Sequence, residues 1–335
     1  MSLRWKVVRR VVFAVFAAYL VISVVFAFVA LTPDPGTGPL ARAAAIEASE
    51  EDIPVKKTDA WEQLVEYRER RSLDEPLLER YFDWLIDITT LDWGRSFGTT
   101  GTATDYGAGY ATNVPVTMLV VRALYYTLWY VLPAIALSVI SGIAIGLYTA
   151  THQHTLVDRL GTAAAYLGFS LPNFWLAEML FLFVIGGSIL IGFSARTYEI
   201  LSLVIFPTGI LTTSLLAGQI RYARAQSLEY LNTEFIKLVR AKGAKKWRVA
   251  RHLLRNAAIP LFSLFFTEML GIVVLNIFVI EYVFRIPGLG GLSLVAIQSR
   301  DLPVILGTSI VIILFGMVGN LLQDIAYLVL DPRME

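Results

Sequence analysis

The chain has 335 residues, 56% of them hydrophobic and 16% charged, with a mean hydropathy of +0.63. That is more apolar content than the core of a water-soluble domain needs, so most of it must face lipid. A net charge of +1 gives no sign of nucleic-acid binding, and the absence of cysteine excludes disulfides and thiolate chemistry.

Arg4, Lys6, Arg9 and Arg10 precede an uncharged run from Val11 to Leu31. A cleaved signal core has roughly 7 to 15 apolar residues and a membrane span needs about 20. The segment 1–31 therefore reads as a cytoplasmic tail and a first transmembrane helix. Residues 32–121 follow as a polar exterior module that holds most of the 27 acidic residues. Its lead, 32–54, is rich in Pro, Gly and Ala and reads as flexible. After Asp74, the residues Leu77, Leu78, Tyr81, Phe82, Leu85 and Ile86 have the spacing of an amphipathic helix. That helix either caps the membrane domain or touches a substrate-delivering protein.

Residues 122–335 read as the membrane core. Apolar segments at 124–150, 160–191, 200–220, 261–280 and 304–330 give six spans with the first, which places both termini on one side. Helices are expected because the backbone must satisfy its own hydrogen bonds in about 30 Å of hydrocarbon. Pro172 and Gly186-Gly187 interrupt the third span. The second carries Ala134, Ser138, Gly142 and Gly146, a four-residue repeat of small side chains that lets another helix backbone approach. Glu178 and Glu268 fall inside spans, where a charge costs at least about 2.5 kcal/mol. They either line a translocation path for ligands bearing an ammonium group or are paired structural groups. Asp324, one turn after Asn320, reads as structural.

Between the fourth and fifth spans, 221–260 is dominated by Arg and Lys against only Glu229 and Glu234, which places it in the cytoplasm by the positive-inside rule. A helix through Leu238 runs into Lys242-Gly243, and a second basic helix resumes near Lys245, giving a helix-turn-helix. A basic loop resting on anionic headgroups has the same charge pattern. No G-x-x-x-x-G-K-[ST] motif occurs, so the phosphate cradle of an ATPase is absent. No catalytic set stands out, and His152, His154 and His252 make a poor metal inventory. Any ATP used must be hydrolysed elsewhere, and a membrane enzyme is disfavoured.

The block 227–260 closely resembles the cytoplasmic EAA loop of ABC importer permeases, in the version of the dipeptide, oligopeptide and nickel systems. The residues that carry this are Arg221, Arg224, Ser227 and Leu228, then Val239-Arg240-Ala241-Lys242-Gly243, then His252, Arg255, Asn256, Ala257 and Pro260. Further matches lie at Leu91-Asp92-Trp93-Gly94-Arg95-Ser96-Phe97, at 169–175, and at Glu281-Tyr282-Val283-Phe284 with Pro287-Gly288-Leu289-Gly290. Arg300-Asp301-Leu302-Pro303, Asn320-Leu321, Asp324 and Asp331-Pro332-Arg333 complete the series. Val239 stands where the family has Ala, and Leu275-Asn276 where it commonly has paired glycines.

The resemblance implies an all-α integral membrane protein with six transmembrane helices and the MetI-like permease fold. It implies ATPase coupling through Arg240, Ala241, Lys242, Gly243, Ala244, Trp247 and Arg248. The implied partners are a second homologous permease, two cytoplasmic ATPase subunits that bind ATP and Mg, an external substrate-binding protein and a peptide carried by alternating access. Nickel chelates and oligosaccharides are the alternative cargoes within the family. Outside it stand an ion-gradient-driven transporter using Glu178, Glu268 and Asp324, and a structural assembly subunit without a passage.

Overall fold

The structure, a computed structural model, describes residues 3–34, 36–70, 72–98 and 113–330. They form helices α1 (Leu3–Leu31), α2 (Thr37–Glu51), α3 (Asp59–Arg70), α4 (Leu77–Thr89), α5 (Val116–Thr151), α6 (Leu156–Ser170), α7 (Asn173–Leu190), α8 (Ala195–Ile200), α9 (Phe206–Leu231), α10 (Glu234–Ala241), α11 (Lys246–Phe284), α12 (Leu289–Ser299) and α13 (Leu302–Leu330). Among the described residues five stretches are long and apolar enough to cross a membrane: Val8–Phe28, Val116–Thr151, Asn173–Leu190, Ala195–Leu231 and Leu302–Leu321. The pair Gly271–Phe284 and Leu289–Ser299, bent by 81°, passes the same test only when its two helices are taken together.

Three sequence expectations change. The third segment, 160–191, is interrupted at Pro172 as expected, with the chain leaving the helix between α6 and α7 at Leu171, extended at φ −83° and ψ 121°, but not at Gly186-Gly187, through which α7 continues. The ring of Pro172 disfavours the helical region for the residue before it, and proline then opens α7. The helix that carries the fifth span is longer than the apolar segment 261–280, since α11 runs unbroken from Lys246 to Phe284. The lead at 32–54 is not flexible chain but contains α2, whose Ala44 and Ala48 are buried. Alanine is the strongest helix former, and it outweighs the glycines and prolines clustered ahead of it. The Glu47 carboxylate of α2 accepts the amides of Asp59 at 2.9 Å and Ala60 at 3.0 Å, which caps the open N-terminus of α3.

The chain divides into two compact units. One comprises residues 1–16, 124–291 and 312–335. Its core joins α5, α7, α9 and α11 through Tyr130, Val131, Phe181, Leu211, Leu215 and Ile280. The small-residue repeat of α5 is buried at Ala134 and Ser138. A Cβ placed on Gly146 would lie 2.5 Å from that of Ala223 on α9, so the repeat serves close helix packing. Before α9 the helix widens into a π turn over Leu201–Ile205, just ahead of Pro207. A proline ring clashes with the carbonyl four residues earlier, and the wider turn relieves that clash.

The other unit comprises residues 17–123 and 292–311. The amphipathic α4, expected from the spacing of its apolar residues, lies along the end of α1. Phe26 stacks on Trp84 with ring centroids 5.0 Å apart, and Ser23 hydrogen-bonds the Tyr81 hydroxyl at 2.8 Å. Asp301 opens α13 and its Oδ2 accepts the amides of Phe97 at 2.8 Å and Gly98 at 3.2 Å.

Candidate functional site

The helix-turn-helix forms as the sequence spacing requires. Gly243 sits at φ +75°, where a side chain is strained, and it follows the last residues of α10. The Ala244 amide donates to the Val239 carbonyl at 3.3 Å and the Gly243 amide to that of Arg240 at 2.9 Å. This paired closure is a Schellman motif, with glycine at the left-handed position and Val239 and Ala244 packed as its apolar contact. Lys245 then turns extended and α11 starts. The turn rests on a small core of Ala150, Leu231, Ile236, Val249 and Leu253, which anchors it to the ends of α5, α9 and α11.

The opposite face is open. Trp247 is 76% exposed, and Phe235 and Leu238 are also exposed. Arg240, Lys242, Lys245, Arg248 and Arg251 are exposed as well. Exposed apolar side chains on a basic segment suit a protein surface of opposite charge. Nearby, Arg224 of α9 grips Asp158 of α6 with two hydrogen bonds, Nε to Oδ1 at 2.8 Å and Nη2 to Oδ2 at 3.1 Å. Hydrogen bonding from Arg224 holds the Asp158 carboxyl below the usual carboxylate range, against the opposing effect of burial.

Of the carboxylates expected within the spans, the structure describes the side chain of Glu178. Glu178 is exposed on α7. The side chains of Glu268 and Asp324 lie outside the described residues, as does 331–335. No pair of intramembrane acids is brought together among the described residues.

The buried carboxylate is instead Glu281, 1% exposed at the end of α11. Its Oε1 accepts the hydroxyls of Thr127 at 2.7 Å and Tyr130 at 3.0 Å, both on α5. Its Oε2 accepts the Gly291 amide at 3.0 Å, and the Gly290 amide also donates to the carboxylate. Thr127 in turn accepts the Leu289 amide at 2.9 Å. The carboxylate therefore ties the first turn of α12 to α5 and holds the 81° elbow closed. Gly288 has no Cβ because the Glu281 carboxylate occupies its place. Sequence reasoning ended the fifth span at Ile280, one residue before this acid. The available signal was an acidic residue flanked by apolar helix and followed by Pro-Gly-Leu-Gly-Gly.

A third node lies where the sequence departs from the paired glycines. Asn276 of α11 accepts a hydrogen bond from the Asn173 side chain of α7, which also reaches Ser214 of α9. Asn173 therefore joins three helices through polar groups, with Asn276 as its acceptor on α11, while Leu275 is exposed.

Several apolar helices, one sharply bent helix pair and an exposed basic turn mark a multi-pass membrane protein. Residues 142–335 match the family model described as the binding-protein-dependent transport system inner membrane component. The chain belongs to this family, the membrane component of binding-protein-dependent ABC importers. It is similar to the oligopeptide transport system permease protein AppB of Bacillus subtilis, 30% identical over 81% of this chain and 84% of that one. It is also similar to the dipeptide transport system permease protein DppB of the same organism, 31% identical over 78% and 81%. The metal-staphylopine import system permease protein CntB of Staphylococcus aureus is 28% identical over 82% and 83%.

Proposed function

We infer that this chain is one of two permease subunits in an ATP-driven importer of short peptides. The observation that carries this reading is the turn at Gly243, whose flanking helices expose Trp247, Phe235 and Leu238 together with Arg240, Lys242, Lys245, Arg248 and Arg251. A cytoplasmic ATPase docks there, and its closure on ATP moves α10 and α11. Because α11 continues unbroken from Lys246 to Phe284, a push on the turn travels along one rigid rod to the Glu281 elbow. Arg240, Ala241, Lys242, Gly243, Ala244, Trp247 and Arg248 form the coupling contact, and the partner ATPases hold ATP and Mg. A second permease completes the passage, and an external binding protein delivers the peptide; the family description supports the binding protein, and the names of the relatives AppB and DppB support a peptide as cargo. Glu178, exposed on α7, belongs to the passage wall or to the face covered by the second permease. Both termini and 221–260 are cytoplasmic and 32–121 is exterior, on the positive-inside rule.

The assembled complex is reconstituted in vesicles and uptake of a labelled dipeptide is followed with the proton gradient collapsed. Uptake on ATP addition, with no hydrolysis by the purified single chain, is the expected result. Uptake that needs a proton gradient and ignores ATP overturns the reading. Because the chain has no native cysteine, single cysteines at positions 59 and 245 report the orientation. In right-side-out vesicles only the first is labelled from outside, and the reverse pattern overturns the topology.

A further inference from the structure

In the unit formed by residues 17–123 and 292–311, two clefts open side by side and share Arg80, Phe97 and Leu302. In the larger, of about 1040 Å³, Glu75, Asp83, Asp87 and Asp92 outweigh Arg80 and Arg95. In the smaller, of about 340 Å³, Arg68, Arg80 and Arg300 outweigh Asp34. The neighbouring chambers are thus of opposite sign. Phe26 of α1 and Leu306 of α13 line the larger one, which sets it at the ends of two spans.

Burial, and next the charges of Asp92 and Asp83, push the Asp87 carboxyl above the usual carboxylate range. The acids of this chamber repel one another, and a cation among them relieves that repulsion. Trp84 and Trp93 supply apolar wall, and the buried indole N–H of Trp93 has no acceptor among the described residues. Clefts of about 300 to 1,000 Å³ hold small ligands, and aromatic walls with a few placed charges set their orientation.

We propose that the paired clefts bind a short zwitterionic peptide, with its ammonium group among Asp83, Asp87 and Asp92 and its carboxylate at Arg80 and Arg300. The site holds the peptide on the exterior side, before it enters the passage. This rests on the peptide reading given above for the cargo, and it adds a holding site that belongs to the permease itself.

The test uses the full chain in phosphatidylcholine nanodiscs, with alanyl-phenylalanine, its N-acetyl derivative and its C-terminal amide as probes, and calorimetry as the readout. Each blocked end is expected to weaken binding about tenfold or more, the loss of a hydrogen bond to a charged group. The double variant Asp87→Asn, Asp92→Asn is expected to lose discrimination against the N-acetyl probe while keeping that against the amide. Arg80→Gln is expected to lose discrimination against the amide. Equal affinity for all three probes, unchanged discrimination in the variants, or no binding up to about 10 mM overturns the proposal. ATP-driven uptake by the complete assembly separates the two readings. Uptake without binding in the cleft leaves the transport reading standing and removes the cleft. End-specific binding by a complex that takes up no peptide removes the transport reading and keeps the cleft.

Discussion

Glu281 offers the sharpest test of what holds the bent helix pair. In Glu281→Ala the amides of Gly290 and Gly291, fixed in the first turn of α12, lose their acceptor while buried. Each unsatisfied buried donor costs about 1 to 3 kcal/mol, so the two together cost about 2 to 6 kcal/mol. The hydroxyls of Thr127 and Tyr130 can rotate toward other acceptors and add less. In Glu281→Gln the side-chain oxygen can still face the amides, and its NH₂ group then faces the two hydroxyls, which turn to accept. That arrangement costs about 1 to 2 kcal/mol. At about 2 °C per kcal/mol for a chain of this size, the unfolding midpoint falls by about 4 to 12 °C for alanine and about 2 to 4 °C for glutamine. Thermal unfolding of the purified chain in detergent, followed by tryptophan fluorescence, measures both. An alanine variant that melts with the wild type, or a glutamine variant that melts below the alanine one, refutes the account of the elbow.

Gly243→Val places a β-branched residue at φ +75°, at a strain of about 1 to 2 kcal/mol. No atom lies within 4 Å of the added Cβ, so the cost is one of backbone and not of packing. At equal membrane abundance the variant is expected to hydrolyse ATP without peptide uptake, while Gly243→Asn, which tolerates the left-handed region, stays coupled; unchanged uptake per ATP in the valine variant rejects the coupling assignment. Asp158→Asn is expected to lose about 1 to 2 kcal/mol at neutral pH, read as a lower unfolding midpoint. Because Arg224 lowers the folded value of Asp158, this contribution is full above the ordinary carboxylate value near 4 and is lost as pH falls through the lower folded value. Wild type and variant should therefore converge only in strong acid, and a difference that persists there counts against the ion pair.

Membrane class, the amphipathic α4 and the turn at Gly243 are all legible in the amino-acid sequence. They rest on residues close together in the chain, whose spacing sets which face is apolar and where the backbone must turn left-handed. The break before Pro172 is also local, since a residue preceding proline resists the helix. Reading the apolar content of 160–191 as one span gives hydropathy more weight than that backbone rule.

What only the tertiary structure decided are the pairings between distant segments. Nothing near Glu281 announces Thr127 and Tyr130, which stand about 150 residues away in sequence and meet it because α5 and α11 pack in one core. Arg224 belongs to a recognised motif, yet its partner Asp158 lies 66 residues earlier on another helix. The bend between α11 and α12 likewise needs the carboxylate that replaces a side chain at Gly288. Periodicity and turn chemistry are properties of neighbouring residues, so sequence determines them. Which buried donor finds which acceptor depends on how whole helices pack, and that is settled only when the chain is folded.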